Sequence, residues 1–179
     1  MIAQFFFKRY IKKQRKNMRI NLGFYIICFA LYALSAQADT VKVVDGDSLE
    51  IGLRRIRLDG IDAPEFAQIC QTSDGKDYDC GLKALHYLEK LTDGKEIDCR
   101  CLEQKDRYQR DICECFAENI SLNQAMVSAG WAVAYRSKTY LSQEKEAVQN
   151  KSGIWQGKHM RPAIYRILYQ NKQTTKIAP

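Results

Sequence analysis

The chain has 179 residues, of which 46% are apolar, 27% are charged and seven are cysteines; that is enough for one globular domain with a sizeable core, and too little for two ordinary ones. Plentiful apolar and aromatic residues with a single long apolar run exclude wholesale disorder, a collagen-like repeat and a polytopic membrane protein. The formal charge of +7 suggests an acidic polymer as partner, but residues 1–38 hold seven Lys/Arg and no acid, so from Asp39 onward 21 basic residues face 21 acidic ones and the net charge is zero.

The N-terminal segment reads as an export signal. Lys8, Arg9, Lys12, Lys13, Arg15, Lys16 and Arg19 precede an apolar run from Leu22 to Leu34, followed by Ala36-Gln37-Ala38. As a helix that 13-residue run spans only about 20 Å, short of a roughly 30 Å hydrocarbon core. The expectation is a signal peptide over 1–38, cleaved after Ala38, with Met18 as a plausible true start and an uncleaved membrane tether as the alternative. The mature protein is then periplasmic or secreted, with no stable membrane partner.

Thr40 to Val44 and Ser48 to Ile51 are β-prone and joined by Asp45-Gly46-Asp47, a tight-turn signal. Leu53 to Leu58 alternates Arg55 and Arg57 with Ile56 and Leu58, the pattern of a half-buried strand with its arginines on one face. Asp59 to Glu65 reads as a loop shaped by Gly60 and Pro64, and Phe66 to Asp79 as a polar excursion. A helix carrying Leu82, Leu85 and Leu88 stops at Asp93-Gly94. Lys95 to Cys101 and Asp111 to Phe116 make a hairpin around residues 105–110. Ser121 and Gln124 form a capping box for a second helix that ends at Gly130, and a third runs from about Tyr140 to Lys151. His86, on the leucine-bearing helix, reads as a packed or half-exposed side chain and not as a catalytic one. The domain is expected over 39–166, with 167–179 as a polar tail. Strands followed by helices in this order predict an α+β fold, a small closed barrel with helices packed on it.

Six cysteines follow Ala38, an even number suited to an oxidising compartment. Cys99 and Cys101 lie two apart on one strand, and Cys113 and Cys115 two apart on the next. Hairpin geometry therefore pairs Cys101 with Cys113 and Cys99 with Cys115, leaving Cys70 with Cys80. The competing reading is a zinc-thiolate cluster of the four hairpin cysteines, although zinc ligands are commonly spaced by two to four residues.

Loops collect Asp47, Asp62 and Glu65 with Arg57 and Arg110. If the strands bring those loops to one end of the barrel, two carboxylates about 4 Å apart repel by roughly 4 kcal/mol at an effective dielectric near 20, so a cation is expected between them. Oxygen-only ligation selects Ca²⁺ over Zn²⁺. Taken singly, each residue also has a plainer role: a hairpin turn at Asp45 to Asp47, a local cap at Asp62, solvated arginines at 57 and 110.

Together the runs are more specific. Val44-Asp45-Gly46-Asp47-Ser48, Arg57-Leu58-Asp59-Gly60-Ile61-Asp62-Ala63-Pro64-Glu65 and Asp106-Arg107-Tyr108-Gln109-Arg110 strongly resemble the staphylococcal-nuclease-like family. Gly130-Trp131-Ala132-Val133-Ala134-Tyr135 and Ser152-Gly153-Ile154-Trp155 extend the likeness over about Asp39 to Arg166. The resemblance implies a five-stranded OB-fold β-barrel with about three packed helices. It further implies a monomeric Ca²⁺-dependent phosphodiesterase that acts on DNA and RNA and leaves 3′-phosphate and 5′-hydroxyl ends. Asp47 and Asp62 match the calcium carboxylates, Ala63 the residue lending its main-chain carbonyl, and Glu65 the general base. Arg57 and Arg110 match the arginines that grip the scissile phosphate, and Tyr108 and Tyr135 fall where relatives place substrate-contacting tyrosines. Gln109 stands where the family usually has Gly, so a turn with positive φ there would strain the backbone beside Arg110. A non-catalytic barrel that binds nucleic acid or a protein is the second functional reading. With a neutral domain, attraction of phosphate is expected to be local, through Arg55, Arg57, Arg107, Arg110 and a bound cation.

Overall fold

The computed structural model describes residues 40–177, so the expected signal peptide over 1–38 lies outside the described residues. Three strands open the fold: β1 (Val41–Asp45), β2 (Ser48–Ile51) and β3 (Arg54–Leu58). Short strands β4 (Ile61–Asp62), β5 (Ile69–Gln71) and β6 (Asp77–Asp79) lead into helix α1 (Cys80–Thr92). A long hairpin of β7 (Ile97–Lys105) and β8 (Asp111–Ala117) follows, then β9 (Ile120–Ser121), α2 (Leu122–Ser128) and β10 (Val133–Ala134). The chain closes with α3 (Leu141–Gln149), a 3₁₀ turn over Gly153–Gln156, and α4 (Pro162–Ile177).

The main sheet runs β1-β2-β3-β8-β7, with β9 on the far end of β8. It curls into a half-barrel, the OB-type α+β arrangement expected. Its one parallel contact sets Ile56 opposite Asp111 and Leu58 opposite Cys113, which carries the β7–β8 turn to the edge where β1 turns into β2. Alternation explains the core: Ile56 and Leu58 of β3 and Cys113, Cys115 and Ala117 of β8 point inward. They meet Leu49, Ala84, Leu88, Leu122, Met126 and Val127 there. Ser121 caps α2 by accepting from the Gln124 N–H at 3.3 Å, half of the expected capping box.

All three expected disulfides form. Cys99–Cys115 and Cys101–Cys113 join directly opposed residues of β7 and β8, with Cα separations of 4.1 and 4.0 Å, and Cys70–Cys80 closes the segment before α1. The four hairpin cysteines are therefore not available as thiolate ligands, which removes the zinc reading.

The structure differs from the sequence reading at three places. The polar excursion after Phe66 contains the β5–β6 hairpin, in which Cys70 pairs with Tyr78. The stretch Asp59 to Glu65, read as a loop, contains β4, whose partner β10 lies in a run to which the sequence assigns no element. A fourth helix, α4, runs through the span read as a tail. β5, β6 and β10 are only two or three residues long, and β10 finds its partner β4 far along the chain, so local periodicity carries little trace of them. Among the described residues no helix is long and apolar enough to cross a membrane. His86 is exposed and pairs with Glu89 at 2.8 Å.

Candidate functional site

Asp47 leaves the β1–β2 turn with its N–H donated to Asp45 Oδ1 at 3.0 Å. The intervening Gly46 is needed for space: a Cβ there would lie 2.7 Å from Ala63 Cβ and 2.8 Å from Ala84 Cβ. That close approach lets the turn reach the next loop, where the Ala63 N–H donates to Asp47 Oδ2 at 2.8 Å. Asp47 is only 5% exposed, and its other oxygen accepts from Ser48 Oγ at 3.1 Å.

Asp62 is fully buried, fixed by the pairing of β4 with β10, where it stands opposite Val133. Arg57 spans the two acids, with Nη1 2.6 Å from Asp47 Oδ2 and Nη2 3.1 Å from Asp62 Oδ1. It also donates to the Ile61 carbonyl at 3.0 Å, so the guanidinium is locked between both loops. Glu65 follows on the same loop. Its backbone lies against the start of α1, where a Cβ on Gly81 would sit 1.8 Å from the Glu65 carbonyl oxygen, so only glycine permits the approach.

A residue from outside the matched motifs completes the cluster. Arg166 of α4 places Nη2 2.7 Å from Asp62 Oδ1 and Nη1 2.5 Å from Glu65 Oε1. Burial works against its charge, but the hydrogen bonds to Glu65 and Asp62 outweigh that and push its pKa further up. Three acids thus face two arginines. The Oδ2 atom of Asp62 is buried with no hydrogen-bond partner among the described residues. Sequence reasoning did not find Arg166, because nothing in its neighbourhood signals chemistry and it stands 104 residues from Asp62.

Arg110 arrives on the β7–β8 turn. Asp106 organises that turn by accepting from the N–H groups of Tyr108 at 2.8 Å and Arg110 at 2.9 Å, while its second oxygen takes Arg110 Nε at 2.8 Å. Gln109 has φ of 63°, the strained left-handed conformation that its replacement of Gly raised as a possibility. Arg110 still reaches the site: its Nη1 donates to Ser48 Oγ at 3.0 Å, and Ser48 in turn donates to Asp47. Replacing Gln109 with Gly relieves a cost of about 1–2 kcal/mol and gives back about 0.4–1 kcal/mol in unfolded-chain entropy. The variant should therefore be more stable by about 0.5–1 kcal/mol in a denaturant titration. An equal or lower midpoint would show that the turn is unstrained.

The tyrosines are placed differently. Tyr108 is exposed, with the guanidinium of Arg107 4.7 Å and that of Arg110 5.5 Å from its ring centre. Tyr135 is half-buried, with its N–H on the Gly60 carbonyl at 2.9 Å and Arg136 over its ring at 4.9 Å. Each stands on a loop that adjoins the cluster, and neither touches the three acids in the bonds seen here. Arg55 and Arg107 are exposed.

Burial pushes the Asp47 carboxyl up from 3.8 to about 7; Arg57 and the Ala63 N–H pull it back without offsetting this, and Asp45 and Asp62 add to the rise. The folded protein therefore holds a proton on Asp47 that the unfolded chain gives up near pH 4. This contribution to stability is whole below that pH and is lost as the pH rises towards 7, by about 4 kcal/mol on a linkage argument. In chelator, the Asp47→Asn variant should lack that component, so the wild-type melting temperature should fall relative to it between pH 4 and 7. A constant difference between the two would remove the argument.

The donor set suits a hard cation. Asp47 and Asp62 offer only oxygen, and one buried oxygen of Asp62 has no hydrogen-bond partner among the described residues. Two carboxylates with a main-chain carbonyl make a sparse site; among the described residues no three His, Cys, Asp or Glu side chains are grouped to hold a metal.

The sequence pattern described as staphylococcal nuclease homologue matches residues 55–157. The chain is similar to the succinoglycan biosynthesis protein ExoI of Rhizobium meliloti (strain 1021), with 31% identity over 137 residues, 74% of this chain and 71% of that protein. It is also similar to a protein of Escherichia coli O157:H7 named uncharacterized endonuclease, with 30% identity over 145 residues, 76% of this chain and 88% of that one. A Haemophilus influenzae protein of the same name is 30% identical over 152 residues, covering 78% and 79%. The matched span contains Arg57, Asp62, Ala63, Glu65 and Arg110; Asp47 and Arg166 lie outside it.

Proposed function

The chain belongs to the staphylococcal nuclease family, and from that premise we propose that it is an exported, monomeric, Ca²⁺-dependent nuclease that hydrolyses phosphodiester bonds of DNA and RNA. The observation that carries this reading is the placement of Asp47 and Asp62 on either side of Arg57, with Glu65 tied into the same cluster. Two buried acids against one guanidinium, with a third acid beside them and a buried oxygen left without a partner among the described residues, are not accounted for by stability and need another explanation. A site built to meet a cation and a phosphate supplies one.

In this reading Asp47, Asp62 and the Ala63 carbonyl hold Ca²⁺, which when bound supplies positive charge to a phosphoryl oxygen. Glu65 takes a proton from the attacking water as its oxygen bonds to phosphorus. The bond from phosphorus to the 5′-oxygen breaks, the leaving oxygen takes a proton from a solvent water to give 3′-phosphate and 5′-hydroxyl ends, and Glu65 returns its proton to solvent. Arg57 and Arg110 carry the negative charge that collects on the phosphoryl oxygens, for which planar guanidinium forks are suited. Arg110 has an arm directed to Ser48 and away from its Asp106 partner, so part of its donor set faces the cluster. Tyr108 and Tyr135 flank the substrate on the adjoining loops. Three disulfides support export, since such bonds persist in oxidising compartments.

The test is digestion of single-stranded and duplex DNA and of RNA by the purified chain across a calcium series. Cleavage that rises with calcium and stops with chelator is the expected result. Binding of an oligonucleotide that stays intact would favour the non-catalytic barrel instead.

A further inference from the structure

The segment after the 3₁₀ turn is fastened to one loop by contacts that converge. Gln68, fully buried, donates Nε2 to the Met160 carbonyl at 2.7 Å, and the Gln71 N–H donates to the Lys158 carbonyl at 2.8 Å. Tyr165 donates its hydroxyl to the Ala67 carbonyl at 3.2 Å. On the other side, Ala67, Gln68 and Gln71 lie in the stretch that follows Glu65 and runs into β5, and Cys70–Cys80 braces its far end. The next residue after Tyr165 is Arg166, which these contacts deliver between Asp62 and Glu65.

A guanidinium is planar, and its two terminal nitrogens keep a fixed separation. With Nη1 on Glu65 and Nη2 on Asp62, Arg166 sets the spacing of the two carboxylates by its own shape. Glu65 has need of such a partner: its side chain is 35% exposed, and a glutamate without a fixed contact spreads over several rotamers. The Arg166 side chain itself is 30% exposed, so its guanidinium is largely covered.

Resting on the nuclease reading above, we infer that Arg166 is a positioning residue: it holds the Glu65 carboxylate against the Asp62 carboxylate and makes activity depend on docking of α4. It acts through Glu65 and does not touch the reacting atoms. The same contact places a positive charge on Asp62, so Arg166 also weakens the attraction of that acid for a cation.

The test compares the purified wild-type chain with Arg166→Ala, Arg166→Lys, Glu65→Gln and the Glu65→Gln/Arg166→Ala double variant, in single-turnover cleavage and in calcium titration by calorimetry without nucleic acid. Arg166→Ala should lose about 10- to 100-fold in kcat with KM within about threefold, the pattern for loss of an oriented group and not of substrate contacts. Arg166→Lys, with the charge but no fork, should recover only part of this. In the Glu65→Gln background the Arg166→Ala change should cost less than about twofold, because its effect runs through Glu65. Calcium should bind Arg166→Ala about three- to tenfold more tightly, since a like charge has left the site. A wild type that cuts alongside an Arg166→Ala that cuts equally or faster overturns the inference and leaves the nuclease reading standing; the faster case makes Arg166 a plug. Full additivity in the double variant, or calcium affinity that is unchanged or weaker, overturns it as well. A wild type that cuts nothing overturns the nuclease reading and this inference with it.

Discussion

Arg57→Ala should lose both cleavage and much of the chain's stability, and calcium should restore part of the stability alone. Among the described residues Arg57 is the one cation that contacts both Asp47 and Asp62, and those two acids are 5% and 0% exposed. Without Arg57, Asp62 keeps Arg166, but Asp47 loses its guanidinium partner, and breaking a buried ion pair in this way typically costs about 3–5 kcal/mol. For a domain of this size that is a fall of the melting temperature on the order of 10 °C or more. Protonation of Asp47, whose carboxyl is already pushed up to about 7, softens the penalty at acid pH, so the loss should be largest in alkaline buffer. A divalent cation that binds the folded state only should then raise the melting temperature of the variant more than that of the wild type. Melts in chelator and in millimolar calcium decide it. An unchanged melting temperature in chelator would mean that the two acids do not depend on Arg57.

Glu65→Gln is the opposite kind of change. Glu65 is partly exposed and its charged partner is Arg166, from which a glutamine oxygen can still accept a hydrogen bond. Stability should shift by less than about 1 kcal/mol, as for an exposed ion pair. The reaction should slow by about 10²- to 10⁴-fold in kcat with little change in KM, because general-base help is lost while substrate contacts stay. Calcium binding should persist, since Asp47 and Asp62 are untouched. Retention of near wild-type turnover would remove Glu65 from the chemistry and leave the cation and arginines to account for it.

Much of this was readable along the chain because it depends on local spacing. Alternation in Arg55 to Leu58 announces β3, and opposed C-x-C pairs announce two rungs of the β7–β8 hairpin, since a period of two puts both cysteines of each strand on one face. The acids and arginines of the motifs could be named because the family resemblance rests on short contiguous runs of sequence, each holding its residues within a few positions of one another. The excess of positive charge also resolves by position alone, into residues 1–38 and a neutral remainder.

What the tertiary structure decided is how these loops meet. The parallel pairing of β3 with β8 carries Arg110 to the Asp47 turn, and the β4–β10 pair buries Asp62. Gly46 and Gly81 look in sequence like a turn and a helix start, yet each is a point of close backbone approach that seats Asp47 and Glu65. Arg166 joins Glu65 across 101 residues through a helix whose own pattern reads as a tail. A contact of that separation is set by packing of the intervening core and leaves no periodic mark, so composition and spacing determined the chemistry available to this protein, and the fold determined which groups share one site.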